Sequence, residues 1–300
     1  MNGVLLIDKP KGFTSFDVIA VIRRLTGQRK TGHTGTLDPN ATGVLPVLLG
    51  CATKAQDIIP NHDKEYAASF KLGMTTDTLD IWGQVKSRRQ SRVTKSDLLR
   101  VIPEFTGEIT QVPPMYSAVK KDGQRLYDLA RQGIEVERGA RVVTVYELEL
   151  LDFDEANQEG RLRVLCSKGT YVRTLIDDMG KLLGTGAVMT ALRRTSACGF
   201  SLEQCVTLEQ LERLAENGEA LGVLRPVESL FEAYPPVCVS NAQAKRFSNG
   251  GALDITRTGL RGQADRDGKL FRVKNPEGGF LGLGKAEDGM LKIYKLFLNT

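Results

Sequence analysis

The order of apolar and polar positions along the chain divides it into short, mixed elements. Gly3 to Asp8 reads as an apolar strand. Pro10 and Gly12 turn the chain, and Thr14 or Ser15 then caps a helix with Val18, Ile19, Ile22 and Leu25 on one face, stopped by Gly27. Residues 30–46 are loop-like by composition, with four Thr, three Gly, two Pro and one Asn. Leu45 to Leu49 is a buried apolar segment, and Thr53 to Ile59 is expected as a short helix. Tyr66 to Leu72 alternates as a strand, and Thr94 to Ile102 is a helix opened by the capping pair Thr94 and Asp97.

The two prolines of Gln111 to Ala118 exclude helix, so that stretch is extended, and a short helix follows from Arg125 to Gln132, ended by Gly133. Arg141 to Phe153 and Gly160 to Ser167 read as the two strands of a hairpin. Helices are expected over Tyr171 to Leu183 and Leu208 to Ala215, the second with Thr207 and Gln210 as its capping box. Near residue 232 the texture changes. Tyr234-Pro235-Pro236 marks a turn, one short helix spans Asn241 to Phe247, and short strands between Gly-rich turns make up the remainder. The expected architecture is α+β over residues 1–232, on a mostly antiparallel sheet with flanking helices, with a small β-barrel-like domain over 233–300.

With 41% hydrophobic and 26% charged residues the composition is that of an ordinary globular protein. The longest apolar run, Val44 to Leu49, is far below the roughly 18 residues of a membrane helix. The opening MNGVLLIDKPKG has no basic lead, so no secretory signal is expected. Five scattered cysteines without a C-x-x-C, and only two histidines, argue for the reducing cytoplasm and against a metal site. The net charge of +5 is concentrated: residues 86–100 hold six basic side chains and one acid and so carry that sum alone. Such a stretch suits a polyanion, or a solvated surface loop.

Gly279 to Lys285 has P-loop spacing, but Ala286 stands where Ser or Thr is needed, and a glycine-rich turn region is the plainer reading. The loop GHTGTLDPNATG over 32–43 sets one carboxylate, Asp38, among small and hydroxyl residues. It reads either as a simple turn or as a rigid mount for a carboxylate facing a bulky substrate. Arg173 stands where a strand gives way to a helix, as a surface residue or as a carboxylate's partner. Tyr66 opens a strand, and Asp77 and Asp80 read as turn formers.

Taken together these blocks resemble the TruB family of tRNA pseudouridine synthases. Residues 32–47 match its catalytic loop almost residue for residue. Lys9 to Ser15, Lys64-Glu65-Tyr66, Gly73 to Asp80, Gln111 to Ala118, Gly169 to Arg173 and Ala191 to Arg194 follow in the family's order. The resemblance spans about residues 3–200, and the last 68 residues look like its PUA RNA-binding domain. It implies a stand-alone bacterial-type enzyme that isomerises uridine 55 in the T-loop of tRNA, without cofactor, metal, guide RNA or obligate protein partner, as a cytoplasmic monomer.

Carried over by resemblance, Asp38 attacks the ribose or assists glycal formation, Arg173 holds it ionised, and Tyr66 stacks on the uracil. Leu192, Tyr171, Lys9 and Lys64 line the substrate site, and His33 fills the space left by the flipped base. An RNA-binding insertion is expected over about 86–140, with Arg88, Arg89, Arg92, Lys120, Lys121, Arg125 and Arg131 on the RNA backbone. The alternatives are a synthase for another RNA, a non-catalytic tRNA-binding or folding module, and a glycoside hydrolase. The hydrolase needs a second carboxyl group, and none stands out beside Asp38.

Overall fold

In the computed structural model, which describes residues 1–262 and 266–298, the first apolar run becomes strand β1 (Gly3–Lys9) and helix α1 (Ser15–Thr26) follows it. Residues 263–265 and 299–300 of the expected C-terminal domain lie outside the described residues. Thr14 caps α1: its hydroxyl accepts from the Asp17 N–H at 3.0 Å, and the Asp17 carboxylate accepts from the Thr14 N–H at 2.8 Å.

The segment 30–46 departs from the expected loop, because β2 (Thr31–His33) and β3 (Thr42–Leu49) occupy its two ends. From Gly43 onward β3 is buried along its whole length, so its apolar run shows no alternation. Pro46 is tolerated there, its carbonyl accepting the Thr34 N–H at 3.2 Å. Gly43 is required at this point, since a Cβ would lie 2.1 Å from the Arg194 carbonyl oxygen. The short helix expected over 53–59 is a 3-10 helix over Gly50–Ala55.

The chain continues through β4 (Lys64–Leu72), the small pair β5 (Met74–Thr76) and β6 (Val85–Arg88), α2 (Lys95–Val101) and β7 (Gly107–Gln111). A hairpin of β8 (Lys120–Lys121) and β9 (Gln124–Arg125) leads into α3 (Leu126–Arg131). Then come the expected long hairpin, β10 (Arg141–Asp154) and β11 (Glu159–Cys166), helix α4 (Val172–Leu182), β12 (Ala187–Ala197), β13 (Phe200–Ser201) and α5 (Leu208–Glu216).

The main sheet runs β1-β3-β12-β4-β11-β10-β7, antiparallel except where β12 meets β3. Strand β12 is not legible as a strand from its residues. Its centre carries Arg193 and Arg194, which hydropathy assigns to the surface, yet Arg194 is fully buried. Helix α4 packs Val172, Leu175, Ile176 and Met179 against Ala68, Phe70 and Leu162 of the sheet. The expected insertion over 86–140 is not one unit: Leu98 of α2 is in the core and β7 is an edge strand of the main sheet. Of that stretch only β7 belongs to the main sheet, while β6 pairs with β5 in a separate two-stranded sheet and β8 with β9 in another.

The C-terminal part adds β14 (Pro236–Cys238), α6 (Asn241–Ser248), β15 (Leu253–Asp254), β16 (Leu270–Lys274), β17 (Phe280–Glu287) and β18 (Met290–Leu296), in the order β14-β16-β17-β18-β15. Phe231, Phe280 and Phe297 cluster with ring centres 5.3 to 6.1 Å apart and join this sheet to Val4, Leu6 and Leu48 of the main body. The run Gly279 to Lys285 is neither a phosphate loop nor a turn, because it enters β17 and pairs on both sides.

Candidate active site

Asp38 lies in the link between β2 and β3, and its neighbours fix that link from three directions. The buried Ser15 hydroxyl accepts from the Leu37 N–H at 2.9 Å, and the Gly12 N–H donates to the Pro39 carbonyl at 2.9 Å. Lys9 is fully buried, with its ammonium on the carbonyls of Phe13 at 2.6 Å, Pro10 at 2.9 Å and Pro39 at 3.2 Å. Burial pushes this ammonium down to about 8, with the Asp38 charge pulling the other way. Lys9 thus braces the loop that carries Asp38 and does not face an open substrate site, which corrects its expected role.

Arg173 is the second residue of α4, and its side chain is only 6% exposed. One nitrogen, Nη2, lies 3.1 Å from Asp38 Oδ2 and donates to the Tyr116 carbonyl at 2.9 Å. The other, Nη1, donates to the Thr78 carbonyl at 3.1 Å and faces Asp80 Oδ2 at 3.7 Å. The fork therefore draws three chain segments onto α4, which a point charge on a flexible stem cannot do.

Asp38 keeps 40% of its side chain open. Dense packing around it still pushes its carboxyl above the usual carboxylate value; Arg173 opposes that most strongly, Asp80 adds to it, and Lys9 opposes it.

Asp80 is more than a turn former. It does hold the turn, accepting from the Thr78 hydroxyl at 2.7 Å and the Trp82 N–H at 3.2 Å, and Leu79 takes a left-handed φ of 65° there, rare for a branched side chain. Its second oxygen faces Arg173, so the expectation that no second acid stands beside Asp38 is overturned. Forty-two residues of sequence separate the two acids, which hid the relation; the shared guanidinium is what allows both near one site.

Tyr66 is buried among Leu37, Ala41 and Val164, and burial pushes its phenol upward against the opposing charge of Arg194. Leu192 packs on the same cluster from β12. His33 is half-buried; desolvation and the Arg194 charge push its imidazole below the usual value, so the ring is neutral near pH 7. Lys64 donates to the His62 carbonyl at 2.6 Å, and burial pushes its ammonium down.

Tyr171 caps the start of α4 and is locked to buried Gln111, which accepts its N–H at 3.0 Å and donates to its carbonyl at 3.3 Å. Gln111 and Arg194 lie inside motif blocks, but nothing in the sequence alone gives them these roles. Arg194 donates from Nε to the Val44 carbonyl at 2.7 Å and from Nη2 to the Gly35 carbonyl at 3.2 Å, so it supports the Asp38 loop from beneath. The adjacent Arg193 points outward to Asp8 at 2.7 Å, as strand alternation requires.

The basic residues are exposed but do not form one patch. Arg88, Arg89 and Arg92 lie by the far end of α4, where Arg89 reaches the Gly184 carbonyl at 3.5 Å. The eleven residues of α4 put that end about 16 Å from Arg173. Lys120, Lys121 and Arg125 sit on the β8–β9 hairpin, a few residues after Tyr116, and Arg131 follows on α3. Among the described residues no group of His, Cys, Asp and Glu is arranged to hold a metal ion.

A carboxylate mounted on a braced loop, bridged to a helix-borne arginine over a mixed sheet, together with a curled C-terminal sheet, has close counterparts among proteins of known family and structure. Residues 23–172 match the N-terminal domain model of the TruB family of pseudouridylate synthases, residues 173–232 the C-terminal domain model of tRNA pseudouridylate synthase B, and residues 235–297 a further model for the C-terminus of pseudouridine synthase II TruB.

Similar proteins include tRNA pseudouridine synthase B of Clostridium perfringens, 44% identical over 99% of both chains, and that of Dechloromonas aromatica, 46% identical over 94% of both. Among solved structures, a chain of a Cbf5-Nop10-Gar1 complex superposes with a TM-score of 0.74 at 29% identity, over 99% of this chain and 85% of that one. A chain of an H/ACA RNP bound to a substrate RNA containing 2'-deoxyuridine gives 0.75 at 27%, with the same coverage. The protein is therefore a pseudouridine synthase, an isomerase. The chain belongs to the TruB family.

Proposed function

We propose that this protein converts uridine 55 in the T-loop of tRNA to pseudouridine, with Asp38 as the carboxylate that acts at the ribose. The observation that carries the reading is the couple of Asp38 and Arg173, 3.1 Å apart, with the arginine buried and the carboxylate partly open. The names of the full-length relatives support tRNA as the substrate.

The target atom lies inside a stacked loop, so the uridine has to leave the stack first. Asp38 then stabilises C1′ as the N1–C1′ bond breaks, either by adding to C1′ or by removing a neighbouring proton to form a glycal. The uracil turns over, C5 joins C1′, and the C5 proton leaves while N1 gains one, so the base keeps its composition. Arg173 holds Asp38 ionised and aimed. Tyr66 and Leu192 wall the uracil, and its proton leaves C5 beside the Tyr66 hydroxyl. The neutral ring of His33 stacks where the base has left. Tyr171, Lys9 and Lys64 shape the site, Lys9 acting through the loop.

Exposed Arg88, Arg89, Arg92, Lys120, Lys121, Arg125 and Arg131 position the RNA through phosphates, and the shape of the T-arm selects it. The C-terminal sheet serves as a second RNA-binding surface, with the domain boundary near residue 232. The enzyme works as a monomer in the cytoplasm, without guide RNA or protein partner.

Tritium release from tRNA labelled at uridine C5 tests the reading, with wild type and Asp38→Asn side by side. Release that requires both Asp38 and uridine 55 is the expected result. Release that survives replacement of uridine 55 by cytidine moves the target to another site, and no release with tRNA still bound refutes catalysis on this substrate.

A further inference from the structure

Two exposed side chains from different loops meet beside the segments that carry Asp38 and Asp80. Trp82 is the sole tryptophan of the chain and is 42% exposed. The Lys11 ammonium lies 5.4 Å from the centre of its ring. Each is tied by backbone to one half of the catalytic couple. Gly12, next to Lys11, donates its N–H to the carbonyl of Pro39, which adjoins Asp38. The Trp82 N–H donates to Asp80 Oδ1, and the other oxygen of that carboxylate faces Arg173. The pair thus spans the two loops that flank Asp38 and Arg173.

A single exposed apolar side chain is ordinary. An exposed indole held by a fixed turn, with a cation on its ring, is suited to recognition. The geometry points to Trp82 and Lys11 as a stacking platform for an unpaired base of the substrate RNA beside the flipped uridine, with Lys11 meeting that nucleotide's phosphate. This rests on the function proposed above. An unpaired nucleotide supplies both complements at once, a π-face for the indole and an anion for the ammonium. Every base has such a face, so the platform adds affinity and orientation without choosing sequence.

The test uses the full chain and a T-arm hairpin RNA. Because Trp82 is the only tryptophan, its emission reports on its own surroundings; binding of the RNA to Asp38→Asn protein should quench it. In tritium release, Trp82→Ala should raise KM about tenfold, with the smaller change in kcat. Trp82→Phe should restore most of the loss, and Trp82→Leu, which keeps bulk without a ring, should not. Emission that stays unmoved while the Asp38→Asn protein binds the RNA overturns the platform, as does a Trp82→Leu enzyme with wild-type KM. Wild-type protein that neither binds nor converts the hairpin removes the functional reading itself, and the platform with it.

Discussion

The site around Asp38 and the region of the β8–β9 hairpin and α3 treat their charges in opposite ways. Within the site, the Arg173 guanidinium meets two carboxylates and two backbone carbonyls and is almost wholly buried. On the hairpin and the helix α3 that follows it, the Arg125 and Arg131 guanidinium groups lean on the ring of Tyr127 at 5.8 and 5.6 Å, and both arginines are exposed. The first arrangement fixes a charge before the reaction begins, which is what stabilising a transition state requires. The second keeps its cations at the surface within reach of phosphates, an interaction that salt screens. One region is built for rate and the other for attraction.

The sharpest way to break that division is Asp38→Asn. Turnover should fall at least about 10^4-fold while tRNA affinity stays within about tenfold; filter binding beside tritium release reads both. A joint loss of binding and folding would make Asp38 structural. Arg173→Lys keeps the charge and loses the fork, so kcat should drop about 100-fold. A near-normal rate would show that the bridge to Asp80, Thr78 and Tyr116 is dispensable.

Asp80→Asn should cost about tenfold in kcat by loosening the guanidinium, which then has one charged partner fewer. It also carries a pH signature. Asp38 must be ionised, and its carboxyl sits above the usual value, so kcat/KM falls as the pH drops through that raised value. The Asp80 charge contributes to the elevation, so its removal should move the acid limb to lower pH. A limb that stays in place would mean the two acids do not sense each other.

The hairpin should respond in the other direction. Lys120→Ala with Lys121→Ala should weaken tRNA binding several-fold at low salt and leave kcat near wild type. The salt slope should flatten by about one for each phosphate these lysines neutralise. An unchanged slope would take them off the RNA.

The smallest effect concerns stability. The buried Lys9 ammonium titrates near 8 in the folded protein and at its ordinary value of 10.5 when exposed. Between those values the unfolded chain holds a proton that the folded chain has released, so stability should rise with pH across that window. Melting temperatures of wild type and Lys9→Met at pH values from about 7.5 to 10 check this, and parallel profiles would sink it.

Local rules made much of the frame legible. Capping boxes placed the starts of α2 and α5, and a capping Thr14 or Ser15 that of α1, because each is settled within four residues. Alternation placed β4 and the β10–β11 hairpin for a similar reason. The loop over 30–46 misled because a strand buried on both faces loses its alternation, and β12 misled because its two arginines look like surface. The carboxylate, the arginine and the tyrosine of the site were all readable as motif residues; the brace Lys9, the second acid Asp80, the support Arg194 and the clamp Gln111 were not assigned their places.

What the sequence by itself determined, then, is whatever a short window of chain can enforce: caps, turns, hairpins, the turn-forming Asp80 and the match of its motifs to one family. What only the tertiary structure decided is which distant groups share an environment. Lys9 is a strut because burial takes its ammonium from water and leaves three carbonyls as its partners. Asp80 joins the site because the fold brings its turn to the far side of a guanidinium that also faces Asp38. Desolvation and through-space charge depend on three-dimensional proximity, and separation along the chain does not encode it.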